Sequence, residues 1–194
     1  MRTLIGLITG LGLVGLAVDG AAAQTAQRFS VQASGLYAKL YGDAFAGVGR
    51  GLGGEAQLRY TPGALSIGAG FQYTDHDTPE GSGATFHLYG GFLEPRYVID
   101  VGSNSLSPYV STRFSILSQK ISETAGETSA TGVTLNGGGG VLFRLGSRVN
   151  LDVGSTFGYT HFGDAETEGS TIPNTSASGS NIVVRIGLAL GLGG

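Results

Sequence analysis

The feature that most limits the fold of this sequence is an alternation of apolar and polar residues that continues through almost all of the chain after its first 23 residues. In the stretch "VNLDVGSTFGYT" the apolar residues are Val149, Leu151, Val153, Phe157 and Tyr159, and most residues between them are polar or glycine. Successive side chains of a strand point to opposite faces, so this period predicts strands with one apolar and one polar face.

The alternation divides the chain into eight segments. Most have a length of about 10 residues, which crosses a bilayer at a tilt of about 45°. An even number of strands also returns both ends of the chain to the same side. The segments are approximately 28–39, 54–61, 65–74, 84–99, 107–117, 132–145, 149–160 and 181–192.

The connections between these segments alternate in length. Short turns on one side and longer loops on the other are typical of outer-membrane barrels. We therefore predict an all-β protein, an eight-stranded antiparallel transmembrane up-and-down β-barrel. The short turns are 62–64, 102–105 and 146–148, and the longer loops lie near 41–53, 75–83, 119–131 and 163–180.

The first 23 residues differ from the rest and predict a cleavable signal peptide. Arg2 gives a positive start, residues 4–18 are an apolar run, and Ala21 to Ala23 supply small residues before a cleavage site at Gln24. A membrane anchor is the alternative, but four glycines in the apolar run and an early Asp19 disfavour it. We assign 1–23 to the signal peptide and 24–194 to one outer-membrane barrel domain.

Composition narrows the possible functions. The net charge of −3 argues against binding of nucleic acid, and the absence of cysteine excludes disulfides and a cysteine lipid anchor. The chain has 36 glycines, although glycine weakens a strand. Because the interior of a small barrel is filled by side chains, we expect inward glycines to make room for long inward arginines. These glycines are Gly138, Gly140, Gly154, Gly158, Gly187 and Gly191.

Charged residues also occur on the predicted inward face. A charge in a barrel lumen needs a partner or water, so we predict an internal salt-bridge network. The alternative is a track that conducts ions, which the narrow bore of eight strands disfavours. The network is expected to comprise Glu55, Arg59, Arg113, Arg144, Asp152 and Arg185, with Glu94 and Arg96 as further candidates.

For the segment 84–99, the alternation does not determine which residues point into the lumen and which point towards lipid. Three large apolar residues share a parity with two charged residues, and charges that faced lipid would be costly. A bulge at Gly90-Gly91 would switch the faces within the strand. The residues concerned are Phe86, Leu88, Phe92, Glu94 and Arg96.

With these segments, and with stretches such as "GGGGVLFRLGSRVNLDVG" and "SPYVSTRFSIL", residues 28–192 resemble the small OmpA/OmpX-type outer-membrane β-barrel proteins. The resemblance implies an exported outer-membrane protein whose partners are outer-membrane lipid and the outer-membrane assembly machinery. It implies a monomer with no cofactor, and no peptidoglycan-binding domain is expected after the eighth strand. It says little about function, because this scaffold carries adhesins, structural proteins and a few enzymes.

The last segment resembles the assembly signal of that family, which reads polar-x-Gly-x-x-apolar-x-apolar. The matching residues are Arg185, Gly187, Leu190 and Leu192. Members of the family usually finish on an aromatic residue, whereas this chain ends Leu192-Gly193-Gly194. This departure puts the efficiency of recognition by the assembly machinery in doubt.

Motifs for catalysis are not apparent. Lipid-modifying barrel enzymes of the deacylase type carry His-x-Ser, and none of the three histidines, His76, His87 and His161, is followed in this way. No zinc spacing, phosphate loop or nucleophile elbow occurs. We therefore predict a protein that is not an enzyme and binds no metal.

The long loops are acidic, and they leave several functions open. They hold nine of the 14 acidic residues, and "DHDTPE" has three carboxylates within six residues. Such loops are simply solvated, or they bridge divalent cations at an anionic lipid surface, or they recognise a basic partner. We predict a structural or surface-interaction role. The alternatives are a narrow pore for ions or small solutes, a lipid-modifying enzyme, and a soluble lipocalin-like barrel with Leu65, Ile67 and Phe71 inside.

Overall fold

The computed structural model describes residues 28–79, 84–123, 126–167 and 169–192. The predicted signal peptide lies outside these residues. A short 3-10 turn (Asp43–Phe45) follows the first strand. The strands are β1 (Phe29–Tyr41), β2 (Arg50–Tyr60), β3 (Leu65–His76), β4 (Thr85–Val98), β5 (Leu106–Glu123), β6 (Gly126–Arg144), β7 (Val149–Phe162), β8 (Ala165–Thr167), β9 (Ser170–Ile172) and β10 (Ala177–Leu192).

Eight of these strands form a closed antiparallel barrel, as the alternation predicts. The pairing runs in the order β5-β4-β3-β2-β1-β10-β7-β6, and a β5–β6 pairing closes the ring. The first and last strands pair from Phe29 opposite Leu192 to Tyr41 opposite Ser180. Closure leaves the barrel with no open edge, so every strand has two neighbours to satisfy its backbone donors and acceptors.

The outer wall of the barrel is apolar. Leu65, Ile67 and Phe71 of β3 are 49%, 46% and 54% exposed, while Ser66 and Gln72 of the same strand are buried inside. The soluble barrel with an apolar interior is therefore wrong. At the short-turn end of the wall, Phe29 and Tyr60 place their rings 4.9 Å apart. Such an apolar wall with an aromatic rim matches a bilayer rather than water.

The described residues include no helix long and apolar enough to cross a bilayer.

Strand β4 contains no bulge. Its register with β3 is continuous from Leu65 opposite Tyr97 to His76 opposite Phe86. Even-numbered residues of β4 therefore point inward along its whole length, and the apolar and charged side chains share one face. Both kinds are accommodated because the interior is polar at one height and apolar at another. The buried side chains are Phe86, Leu88, Phe92, Glu94, Arg96 and Val98.

Two of the predicted loops are largely strand. Residues 119–123 and 126–131 continue β5 and β6, which stay paired as far as Glu123 opposite Gly126, and residues 165–167 pair with 170–172 as β8 and β9. Strand β8 pairs with β6 through Thr128 opposite Thr167. We call residues 118–123 and 126–131, together with 165–167 and 170–172, the outer arm. Its sequence is polar on both faces, so apolar periodicity could not reveal it.

Candidate functional site: the filled lumen and the loop end

A cluster of ion pairs fills the middle of the lumen, and Glu94 of β4 lies at its centre. Its carboxylate accepts two hydrogen bonds from Arg185 of β10, at 2.5 and 2.7 Å. Arg96 Nε donates to the same group at 2.7 Å, and Arg113 of β5 donates at 3.4 Å. Glu94 is fully buried, so these arginines replace the water that the carboxylate loses.

Two further carboxylates extend this cluster. Asp152 of β7 lies 2.9 Å from Arg96 Nη2, and it accepts hydrogen bonds of 2.7 Å from both Tyr109 and Gln32. Glu55 of β2 accepts a hydrogen bond of 2.6 Å from Arg113. Three carboxylates thus face four arginines, with Arg59 the most distant at 3.8 Å from Glu94. The cluster joins five of the eight barrel strands across the lumen.

Glycines on other strands of the barrel make room for this cluster. A Cβ atom at Gly154 would collide with the Tyr109 hydroxyl, and one at Gly68 would collide with the Arg59 guanidinium. The sequence predicts that inward glycines make room for arginines, and Gly68, which is not among the predicted glycines, does so for Arg59. Gly154 accommodates the Tyr109 hydroxyl, and Arg185 Nε would lie only 3.3 Å from a Cβ atom there. The Tyr109 ring lies 4.3 Å from the Arg96 guanidinium carbon. An arginine over an aromatic face gains a cation–π attraction.

The structure brings most of the predicted network residues together, but it separates Arg144 from them. Arg144 has the inward parity, yet it lies exposed where β6 ends at the short turns. Alternation gives the face of a residue and not its height along the barrel, which is why the sequence placed it wrongly. Sequence reasoning also missed Tyr109 and Gln32, whose inward parity beside polar neighbours was the available signal. The residues that do come together are Glu55, Arg59, Glu94, Arg96, Arg113, Asp152 and Arg185.

Polar amides and hydroxyls form the next layer towards the loops. The Asn136 side-chain Nδ2 donates to Asn181 Oδ1 at 2.6 Å, and Asn181 Nδ2 donates to the Thr160 hydroxyl at 2.8 Å. Thr160 in turn lies 2.8 Å from the Thr134 hydroxyl. These contacts tie the neighbouring strands β6, β7 and β10 together on the lumen side of the wall.

An apolar cluster lies in the lumen at the loop end. Phe45, from the 3-10 turn, lies over Phe162 with their ring centroids 6.2 Å apart. Cavities of about 30 and 20 Å³ lie below and between these layers. Each has room for only one or two water molecules. The cluster consists of Leu40, Phe45, Phe86, Leu88, Leu117, Ala130, Phe162 and Ala165.

The residues of the predicted assembly signal occupy both faces of β10. Arg185 points into the ion cluster, and Gly187 packs against β1, where a Cβ atom would collide with Ser34. Leu190 and Leu192 lie on the lipid-facing wall and are 50% and 42% exposed. Each residue therefore has a structural role in the closed barrel, and recognition by the assembly machinery stays a prediction.

The acidic side chains at the loop end are dispersed. Asp77 pairs with Arg50 at 2.9 Å, and Lys120 pairs with Glu127 at 2.7 Å on the outer arm. The hydrogen bond to Glu127 raises the pKa of Lys120. Asp164 accepts backbone hydrogen bonds that fix the β9–β10 loop. Within the described ranges, no three His, Asp or Glu side chains converge as metal ligands.

One contact between a histidine and a serine was not visible in the sequence. His161 of β7 places Nδ1 at 2.7 Å from the Ser178 hydroxyl of β10, and both are exposed at the loop end. The pair forms across strands, so a search for His-x-Ser does not find it. A nucleophilic serine also needs its base oriented by a third group. In the described part of the chain, no carboxylate lies within 4.0 Å of His161.

No family model matches the chain, and no curated protein matches it. Its fold is similar to that of solved outer-membrane proteins. Neisserial surface protein A matches with a TM-score of 0.67 and 20% identity, over 84% of this chain and 97% of that one. Outer membrane protein W of E. coli matches with a TM-score of 0.54 and 13% identity, over 87% and 99%. OprG of Pseudomonas aeruginosa matches with 0.54 and 12% identity, over 84% and 95%. At these identities the likeness shows the fold.

Proposed function

We propose that this chain, which has the fold of the small OmpA/OmpX-type outer-membrane β-barrel proteins, is an integral outer-membrane protein with a closed lumen that acts through its acidic loops at the cell surface. The filled lumen carries the proposal. An ion passing through would have to break the Glu94–Arg185 pair and then displace the rings of Phe45 and Phe162. The fold neighbours support the location in the outer membrane, and the name of the Neisserial protein supports a surface role.

The proposed role of the loops rests on the distribution of charge. Among the described residues of the loop end, exposed carboxylates outnumber exposed cations, and the Asp75 side chain is 61% exposed. These groups do not converge on a metal ion in the described residues. Long-range attraction of cationic groups on a partner fits such a dispersed arrangement better than a metal site.

Planar-bilayer recording of the refolded chain tests the closed lumen. The unmodified protein is expected to show no current steps, and Glu94→Ala combined with Phe45→Ala is expected to show them, because the two changes remove the carboxylate that holds Arg185 and Arg96 and one ring of the apolar cluster. The outward variant Leu188→Ala is the control and should stay silent. Steady current steps from the unmodified protein would replace this proposal with the narrow pore.

Binding of polylysine to vesicles that display the loop end tests the surface role. Asp75→Asn should weaken binding, and added salt should weaken it further, because exposed charges are screened. Asp100→Asn makes the same charge change at the short-turn end and should leave binding unchanged. Equal losses in both variants would refute a role of the loops.

The contact between His161 and Ser178 favours one second candidate, hydrolysis of lipid acyl chains at the loop-end rim. Incubation of the folded protein with labelled outer-membrane lipid is expected to release no fatty acid. Release that Ser178→Ala abolishes would instead establish an enzyme.

A further inference from the structure

The ion cluster in the lumen carries one more positive charge than negative charge. The charged side chains that are buried in the described part of the chain are four arginines and three carboxylates. Burial does not neutralise an arginine, because its guanidinium stays protonated in proteins. A buried charge without a partner is costly, so the excess charge favours binding of an external anion. The seven residues are Glu55, Arg59, Glu94, Arg96, Arg113, Asp152 and Arg185.

Arg59 is the least compensated arginine of the cluster. Its guanidinium lies 3.8 Å from the Glu94 carboxylate, which the other three arginines already contact. It donates instead to neutral oxygens, at 2.7 Å to Gln57 Oε1, 3.2 Å to Ser66 Oγ and 3.4 Å to the backbone oxygen of Glu94. Arg59 Nε is buried and has no hydrogen-bond partner among the described residues. The excess charge of the cluster is therefore best assigned to this guanidinium.

A cavity of about 30 Å³ lies beside Arg59 and Arg96. Hydroxyl groups of Ser30 and Ser66 also line it and can donate to an anion. The cavity has room for one monatomic anion with at most one water molecule, and it is too small for a phosphate or an organic acid. Gln32 Oε1 lines the same cavity and has no hydrogen-bond partner in the described ranges. It would accept a hydrogen bond from that water molecule.

The end of the barrel nearest this cavity is positively charged. Thr61 follows β2 and Val98 ends β4, and both line the cavity, so it lies towards the short turns. Three exposed arginines at this end have the lumen-facing parity of their strands, while Asp100 is the only acidic residue of the described short turns. Charges of one sign around an opening raise the local concentration of the opposite ion. The arginines are Arg28, Arg144 and Arg148.

We propose that this cavity binds one small halide ion, chloride in physiological salt, beside Arg59. The inference goes beyond the proposed function, because it requires only the folded barrel. The ion neutralises the excess charge of the cluster and accepts hydrogen bonds from the guanidinium and the neighbouring hydroxyls. A water molecule between Arg59 and Gln32 is the alternative occupant, and it would leave the excess charge in place.

Unfolding of the full refolded chain by urea in detergent tests this site. Urea is the denaturant because guanidinium chloride would itself supply the ligand. The probes are sodium chloride and sodium gluconate at equal concentrations, since gluconate has the same charge but is too large for the cavity. A ligand that binds only the folded state stabilises it, so above the dissociation constant a tenfold rise in chloride should lower the unfolding equilibrium constant about 10-fold. Gluconate should leave this constant almost unchanged.

Two arginine variants locate the effect. Arg59→Gln leaves three arginines facing three carboxylates and should abolish the difference between chloride and gluconate. Arg50→Gln removes the same charge at the loop end, where Arg50 is exposed, and should preserve the difference. Equal responses of the unmodified protein to the two salts would overturn the site and leave water as the occupant. A chloride response that survives Arg59→Gln would overturn it as well.

A third variant covers a failure of Arg59→Gln to fold. Ala189→Leu fills the cavity without a change of charge and should abolish the chloride response; persistence of the response would place the ion elsewhere. If neither variant folds, the unmodified chain decides, because bromide must replace chloride in the titration and gluconate must not. Current steps in a bilayer would contradict the proposed function and leave this test unaffected.

Discussion

Replacement of Glu94 by glutamine should destabilise the barrel more than any other loss of a single charge. The substitution keeps the shape of the side chain and removes the charge that Arg185, Arg96 and Arg113 share. Four buried arginines would then face two carboxylates. Breaking a buried pair costs about 3–5 kcal/mol, and Glu94 should lie at the upper end because three arginines lose their partner together.

Unfolding in guanidinium chloride, followed by the gel shift of the folded barrel in detergent, measures this cost. Asp77→Asn is the matched control, because Asp77 also pairs with an arginine but is 64% exposed. An exposed pair contributes about 1 kcal/mol or less. If Glu94→Gln and Asp77→Asn change the free energy of unfolding equally, the lumen is hydrated and the cluster is not a buried network.

Three other changes test the wall, the packing and the last strand. Val153→Arg places a charge on the lipid face and should cost about 2–4 kcal/mol in the same titration, whereas Thr156→Ser inside should cost little; equal effects would contradict the assigned faces. Gly154→Val should cost about 1–3 kcal/mol by overpacking against the buried tyrosine, and an unchanged midpoint would show that the lumen has spare room. Leu190→Ser with Leu192→Ser should reduce insertion in cells, followed by surface protease accessibility, more than refolding in detergent; equal losses would argue against an assembly signal.

The sequence was sufficient to predict the barrel because alternation, strand length and loop asymmetry all follow from the bilayer. It also predicted that inward charges such as Asp152 and Arg185 form a network. Partners were not predictable, since Glu94 and Arg185 are 91 residues apart and meet only when β10 closes against β1. The height of Arg144 along the barrel was not predictable either. It depends on strand tilt and register, and the alternation of apolar and polar residues gives information on neither.

The apolar cluster escaped prediction because it breaks the rule that inward means polar. Phe86 and Leu88 point inward at the loop end, while Glu94 and Arg96 point inward in the middle. Face alone could not distinguish a bulge from a change of lining with height. Only the continuous register of β3 and β4 shows that the same face of β4 points inward throughout, and that the lumen lining changes from charged to apolar along it.

The outer arm lowers the conformational entropy that would be lost when a partner binds at the loop end. A loose loop gives up conformational freedom when a partner orders it, at about 1–2 kcal/mol per residue. Residues 118–123 are already held to residues 126–131 by ladder pairing, and the Lys120–Glu127 contact and the neighbouring β8 strand add to it. Binding of a partner to this arm would therefore lose little free energy to the ordering of the chain. We therefore expect a small entropic penalty on binding, and the outer arm should have a similar conformation in the free and the bound protein.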